Sequence, residues 1–175
     1  APPLSEFAVH DADVEWVYES DEPGNRDTPV ELDYYRHPAF FRIEEAYANR
    51  YLMTDFIRGI RKRMDEVGAE RGKHLDLLVR VPSSLHDSKR IGLDVEAWLE
   101  EGLIDLLVVG GTYHEHGIPL AQWAELAHKY DVPLYPCKYR SSGAEQDRAM
   151  ATNFFHQGAD GIVLGLGVEG WEARA

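Results

Sequence analysis

Two carboxylates, two positions apart, have the residue types and spacing that best fit catalysis in this sequence. Glu31 and Asp33 lie in segment 30–35, where apolar and polar residues alternate as in a β-strand. Side chains two apart on a strand point to the same face, so the two carboxylates are predicted to lie together. Such a pair can hydrolyse a glycosidic bond, one group as acid and the other as nucleophile or base. The alternative is an edge strand whose carboxylates are only solvated.

Further polar and aromatic residues are predicted to surround this pair because they lie at or after the ends of predicted strands. Arg80 interrupts an apolar run, and a buried cation needs an acidic partner such as Glu31 or Asp33. Lys138 ends another run and can donate to a substrate hydroxyl, pair with an acid or form a Schiff base. The predicted substrate-binding residues are Arg36, His37, Arg80, Tyr113, His114, Lys138 and Trp171. For each of them, an ordinary place in an ion pair, a loop or a packed surface is the alternative.

His114 and His116 form a His-x-His pair, a spacing that occurs in zinc sites. This pair suggests a metal-dependent hydrolase as a weaker reading, with a solvated loop as the alternative. Since the sequence predicts no third ligand, neither a metal nor another cofactor is predicted.

The composition excludes several kinds of partner. The 18 Lys and Arg against 31 Asp and Glu give a formal net charge of −13. So acidic a chain repels phosphate backbones, and we expect no nucleic-acid partner. No apolar run approaches the roughly 18 residues of a membrane helix, so no membrane partner is expected. The single cysteine, Cys137, excludes an internal disulfide, so cysteine usage does not indicate the cellular compartment. Cys137 is predicted to be a small core residue.

Short apolar runs alternate with helical patterns along the chain, and these elements must position the polar residues. Besides segment 30–35, the runs typical of buried parallel strands are 75–81, 104–109, 133–139 and 161–166. Apolar stripes predict helices that begin at Thr54 and that cover 95–102, 120–130 and 144–157. Strict alternation of this kind predicts an α/β fold with five parallel strands and four helices. Residues 1–29 are predicted to be an irregular acidic segment, and 30–175 the folded part.

A weak internal repeat indicates which acidic residues are structural. Segments 101–110 and 157–165 each place a glycine at a helix end, an aspartate at the entrance of a strand and a glycine after it. In a β/α barrel the entrance ends of the strands serve stability rather than catalysis. Asp105 and Asp160 are therefore predicted to be structural.

Five segments together resemble a known family. They are 31–42 (ELDYYRHPAFFR), 52–56 (LMTDF), 78–82 (LVRVP), 91–98 (IGLDVEAW) and 158–162 (GADGI). In order and spacing they resemble the C-terminal half of the glycoside-hydrolase-like TIM barrels labelled family-10-like, over roughly residues 30 to 167. The resemblance implies that the Glu-x-Asp segment is the fourth barrel strand and carries the active site. The four later runs would then be barrel strands five to eight.

The sequence before this region departs from the family. The 29 residues before the first predicted strand do not supply three strands and three helices, and residues 26–30 read Arg-Asp-Thr-Pro-Val where the family has an Asp-Gly-Ile lead. The sequence therefore predicts a partial barrel with open edges, which favour a homo-oligomer. The predicted function is hydrolysis of a glycosidic bond in a carbohydrate by Glu31 and Asp33, with activity left open by the incomplete barrel. The alternative is a non-catalytic carbohydrate-binding or structural half-barrel domain.

Overall fold

The computed structural model describes residues 29–35, 39–110, 118–138 and 143–164. The strands are β1 (Val30–Asp33), β2 (Leu77–Val81), β3 (Leu106–Val109), β4 (Leu134–Lys138) and the two-residue β5 (Val163–Leu164). The helices are α1 (Ile43–Arg71), α2 (Leu85–Arg90), α3 (Val95–Glu100), α4 (Leu120–His128) and α5 (Ala144–His156). None of the described helices combines the length and the apolar character that crossing a bilayer requires.

All strand pairs are parallel, and neighbours in the sheet are neighbours in the chain. β1 pairs with β2, β2 with β3 and β3 with β4, while β5 adds two residues beside the end of β4. The predicted α/β fold with a parallel sheet and alternating helices is therefore confirmed. Sequential strand order with right-handed crossovers puts the connecting helices on one face of a sheet. This winding is compatible with part of a β/α barrel, whereas a doubly wound sheet reverses its strand order.

The core lies between the sheet and these helices. Leu32, Val79, Leu107 and Leu134 are register partners across β1 to β4, and each of them is buried. The largest buried helix residues that pack with them are Ile57, Met64, Trp98, Leu99, Leu120, Trp123 and Phe154. Because side chains alternate along a strand, the residues between these core positions point to the opposite face of the sheet. That second face carries the predicted carboxylates.

Helix α1 begins earlier than the sequence predicts. The expected start at Thr54 is wrong, because the helix begins at Ile43 and Thr54 lies in its middle. Thr54 Oγ1 instead accepts a hydrogen bond of 3.1 Å from the indole N–H of the buried Trp98. The first turns of the helix expose Ile43, Tyr47 and Tyr51, so they lack the apolar stripe by which a helix is recognised.

The described part of the chain contains one helix more than the predicted four. Helix α2 is a short helix whose start is capped, since Ser84 Oγ accepts a hydrogen bond of 3.1 Å from the Asp87 backbone N–H. It ends at Arg90, and Gly92 in the following turn adopts φ 92°, at a position where a Cβ would lie 2.9 Å from the Ala46 carbonyl oxygen. The helix was not predicted because Leu85 is its only apolar residue, so it shows no apolar stripe, unlike the equally short α3.

Candidate functional site

The two predicted carboxylates lie on the sheet face opposite the described helices. Glu31 and Asp33 are half-buried, while Leu32 between them is buried in the core on the other side. Their register partners in β2 are Leu78 and Arg80, respectively. Asp33 ends its strand, so it lies nearer than Glu31 to the carboxyl edge, where parallel sheets usually bind ligands.

Asp33 and Arg80 form a bidentate ion pair. Arg80 Nε donates to Asp33 Oδ1 at 3.0 Å, and Arg80 Nη2 donates to Asp33 Oδ2 at 2.5 Å. The two side chains are only 16% and 12% exposed, so the pair is largely shielded from water. The Tyr35 backbone N–H also donates to Asp33 Oδ1, at 2.8 Å. With donors on both oxygens, this carboxylate is held in one orientation.

The guanidinium of Arg80 also contacts residues other than Asp33. Its Nη1 donates to Cys137 Sγ at 3.7 Å, and its central carbon lies 5.7 Å from the ring centre of Tyr35. Burial lowers the pKa of Arg80, but the negative charges of Asp33 and Glu31 and the hydrogen bonds to Asp33 raise it above its usual value. One cation therefore contacts residues of three strands, β1, β2 and β4.

Cys137 is buried, as the sequence predicts for a small core residue. Burial raises the pKa of its thiol, and the nearby Arg80 only partly offsets that rise. The thiol is therefore protonated at neutral pH and serves as a weak partner for the guanidinium.

Lys138 lies apart from the carboxylates, although it was predicted to bind the same substrate. Successive strand residues point to opposite faces, so Lys138 and Cys137 are on different sides of β4. The Lys138 amine pairs with Asp147 in the first turn of α5, and both side chains are largely buried. The structure therefore brings Glu31, Asp33 and Arg80 together but not Lys138. The sequence reasoning did not find Tyr35, whose only signal was an aromatic residue two positions after the end of the strand.

Several predicted residues lie outside the described part of the chain. These are Arg36, His37, Tyr113, His114, His116 and Trp171. The first two follow β1, and the middle three follow β3. Their roles in substrate or metal binding stay predictions.

The repeated aspartates lie at the opposite, amino-terminal end of the sheet. Asp105 Oδ2 accepts a hydrogen bond of 2.7 Å from the Leu77 backbone N–H, at the start of β2. Asp160 Oδ2 accepts one of 2.8 Å from the Leu134 backbone N–H, at the start of β4. Burial raises the pKa of Asp160, but the hydrogen bonds from Leu134 and His128 lower it below its usual range. Both carboxylates thus connect neighbouring strands, which agrees with their predicted structural role.

Comparisons with known proteins do not assign the chain to a family. No protein-family model matches the chain. No curated protein matches it either.

Proposed function

We propose that this chain is a glycoside-hydrolase-like protein whose carboxylate site acts on carbohydrate. The observation that carries the proposal is the group of Glu31, Asp33 and Arg80 on the sheet face opposite the described helices, with Asp33 at the carboxyl edge. The sequential parallel sheet supports the finer proposal that β1 to β5 correspond to strands four to eight of a TIM-like barrel. The family-10-like sequence resemblance points to the same strand as the active one.

The contacts of the two carboxylates support different roles for them. Asp33 is held by Arg80 and by the Tyr35 N–H, so it suits the acceptor role of nucleophile or base. Glu31 is then the acid that gives its proton to the glycosidic oxygen as the bond from that oxygen to the sugar carbon breaks. The electron-poor carbon takes its new bond from Asp33, or from a water molecule that Asp33 deprotonates.

The shielded ion pair also supports a second function without catalysis. A bidentate arginine–carboxylate pair can simply hold two strands together, and the same polar face can bind sugar hydroxyls without breaking a bond. The chain would then be a carbohydrate-binding or structural half-barrel domain. Strand β1 is an edge in the described sheet, which supports self-association of such a domain.

The substitution Glu31→Gln separates these functions. The full chain is tested against chromogenic glycosides for turnover and against oligosaccharides for binding by calorimetry. The enzyme proposal expects turnover in the wild type, a loss of about 100-fold or more in Glu31→Gln, and retained binding. Glu70→Gln, on the exposed surface of α1, is the matched control and keeps full turnover.

Two other outcomes contradict the first proposal. Binding by both forms without turnover supports the non-catalytic alternative. Absence of both turnover and binding across the panel rejects a carbohydrate function altogether.

A further inference from the structure

A second cluster of polar side chains lies at the amino-terminal end of the sheet, away from the carboxylate site. His74, Asp76 and Asp105 each offer one ligand atom, and these atoms all lie within 4.8 Å of one another. His74 Nε2 is 2.7 Å from Asp105 Oδ1 and 3.7 Å from Asp76 Oδ1. One imidazole nitrogen thus faces carboxylate oxygens from two different loops. Imidazole and carboxylate together form a donor set typical of zinc and related divalent ions.

The backbone that carries His74 and Asp76 is held against the end of α1. The Lys73 N–H donates to the Gly68 carbonyl oxygen at 3.0 Å, which returns the chain over the last helical turn. A Cβ at Gly68 would lie 2.5 Å from the Lys73 carbonyl oxygen, so this close approach requires glycine. The two potential ligands therefore start from a constrained backbone, which lowers the entropic cost of placing them around an ion.

Asp105 is oriented by donors on its other oxygen. Its Oδ2 accepts hydrogen bonds from the Leu77 N–H at 2.7 Å and from Arg61 Nη1 at 2.8 Å. These contacts leave Oδ1 facing His74. Hydrogen bonds of this kind hold ligand carboxylates in place in metal sites. An ion can reach the cluster from solvent, because His74 and Asp76 are exposed.

The sheet contains a second His–Asp pair that serves as an internal comparison. His128 Nε2 lies 2.8 Å from Asp160 Oδ2, which also accepts from the first backbone N–H of β4. The residue before that strand is Pro133, whereas the residue before β2 is Asp76. The structural role therefore needs only one histidine and one aspartate. Asp76 is an additional carboxylate beyond what that role requires.

We propose that His74, Asp76 and Asp105 bind one divalent transition-metal ion of the zinc class. Bonds of about 2.1 Å place the ligand atoms of a tetrahedral ion about 3.4 Å apart. His74 Nε2 must then move away from Asp105 by roughly 0.7 Å, relative to the metal-free contact. Its side chain is 57% exposed, so it has room to do so. The ion takes the place of a proton on Nε2, the imidazole keeps one on Nδ1, and water completes the coordination.

Zinc titration by calorimetry on the full chain, at about pH 7.5 where a free imidazole is neutral, tests this proposal. The wild type is expected to bind one zinc ion through this site. Asp76→Asn is expected to weaken that binding about 10-fold or more. His128→Gln, which removes the imidazole of the comparison pair, is expected to leave the binding unchanged. Zinc should raise the melting temperature of the wild type more than that of Asp76→Asn at the same zinc concentration.

A double variant, His114→Ala with His116→Ala, separates this site from the His-x-His segment. Zinc binding should persist in that variant, and His74→Gln should weaken it as Asp76→Asn does. The proposal is overturned if Asp76→Asn binds zinc as the wild type does, if binding disappears in the double variant, or if no zinc binds. Circular dichroism checks that each variant is folded. The site is independent of the carbohydrate proposal, because it lies at the other end of the sheet.

Discussion

At the carboxyl end of the sheet Asp33 binds a side chain of the next strand, whereas at the amino end Asp105 and Asp160 bind backbone. Arg80 supplies the side-chain partner of Asp33, and the backbone donor found for that carboxylate among the described residues is the nearby Tyr35 N–H. Asp105 and Asp160 each accept from the first N–H of a neighbouring strand. A side-chain pair can change without disturbing the sheet, but a backbone donor stays in place whatever residue is substituted. The carboxyl end is therefore the part of this fold that can vary with function.

Loss of Asp105 is expected to have the largest effect on stability. Asp105→Ala leaves the Leu77 N–H without its acceptor and removes a partner of Arg61, whose side chain is only 9% exposed. We expect the free energy of unfolding to fall by about 3 kcal/mol. Urea denaturation followed by circular dichroism measures this.

The control for that substitution is Asp65→Ala, which removes another partner of the same arginine. Asp65 is 58% exposed and accepts no backbone hydrogen bond among the described contacts, so its loss should cost less than about 1 kcal/mol. Equal effects of the two substitutions would show that the backbone hydrogen bond of Asp105 contributes nothing.

At the carboxyl end, removing one member of the ion pair should cost more than removing both. Arg80→Met leaves Asp33 shielded without its cation, and we expect a loss of about 2 kcal/mol. The double variant Arg80→Met with Asp33→Leu removes the unpaired charge, so about half of that loss should be regained. Urea midpoints of the three proteins measure the difference.

The corresponding double replacement at the amino end tests the same difference between side-chain and backbone partners. Arg61→Met with Asp105→Leu still leaves the Leu77 N–H without an acceptor, so little stability should return relative to Asp105→Ala. If both double variants regain the same share of the lost free energy of unfolding, the distinction between side-chain and backbone partners is wrong.

The smallest expected effect is on acid stability and comes from Asp160. Its pKa is lowered in the folded chain, so its contribution is complete above the unfolded carboxyl pKa of about 3.9 and is lost as the pH falls through the folded value. Asp160→Asn should therefore reduce stability at pH 6 or so and flatten the acid decline below about pH 4. The effect is small because the side chain is partly exposed. Urea midpoints between about pH 6 and pH 2.5 measure it, with Asp131→Asn, which removes the same charge at an exposed position, as the control.

Much of the fold could be predicted because its signals are local. Apolar runs such as Leu77–Val81 and Leu106–Val109 are recognisable as buried strands, since a strand that is buried on both faces has few polar residues. The start of α1 was missed because exposed residues such as Tyr47 carry no periodic pattern. Helix α2 was missed because it contains only one apolar residue.

The candidate site was predictable only in part. The period of a strand places Glu31 and Asp33 on one face, and a charge in an apolar run marks Arg80 as a residue that needs a partner. The choice of Asp33 over Glu31 as that partner depends on strand register. The separation of Lys138 from the site depends on its contact with Asp147.

By itself the sequence determined the alternation of strands and helices, the shared face of the two carboxylates and the aspartates at two strand entrances. These features follow from residue spacing within one element or between adjacent ones. Only the tertiary structure decided which acid binds Arg80 and which side of the sheet Lys138 occupies. It also brought His74 and Asp76 next to Asp105. Those outcomes depend on contacts between residues far apart in the chain, and no local pattern encodes such contacts.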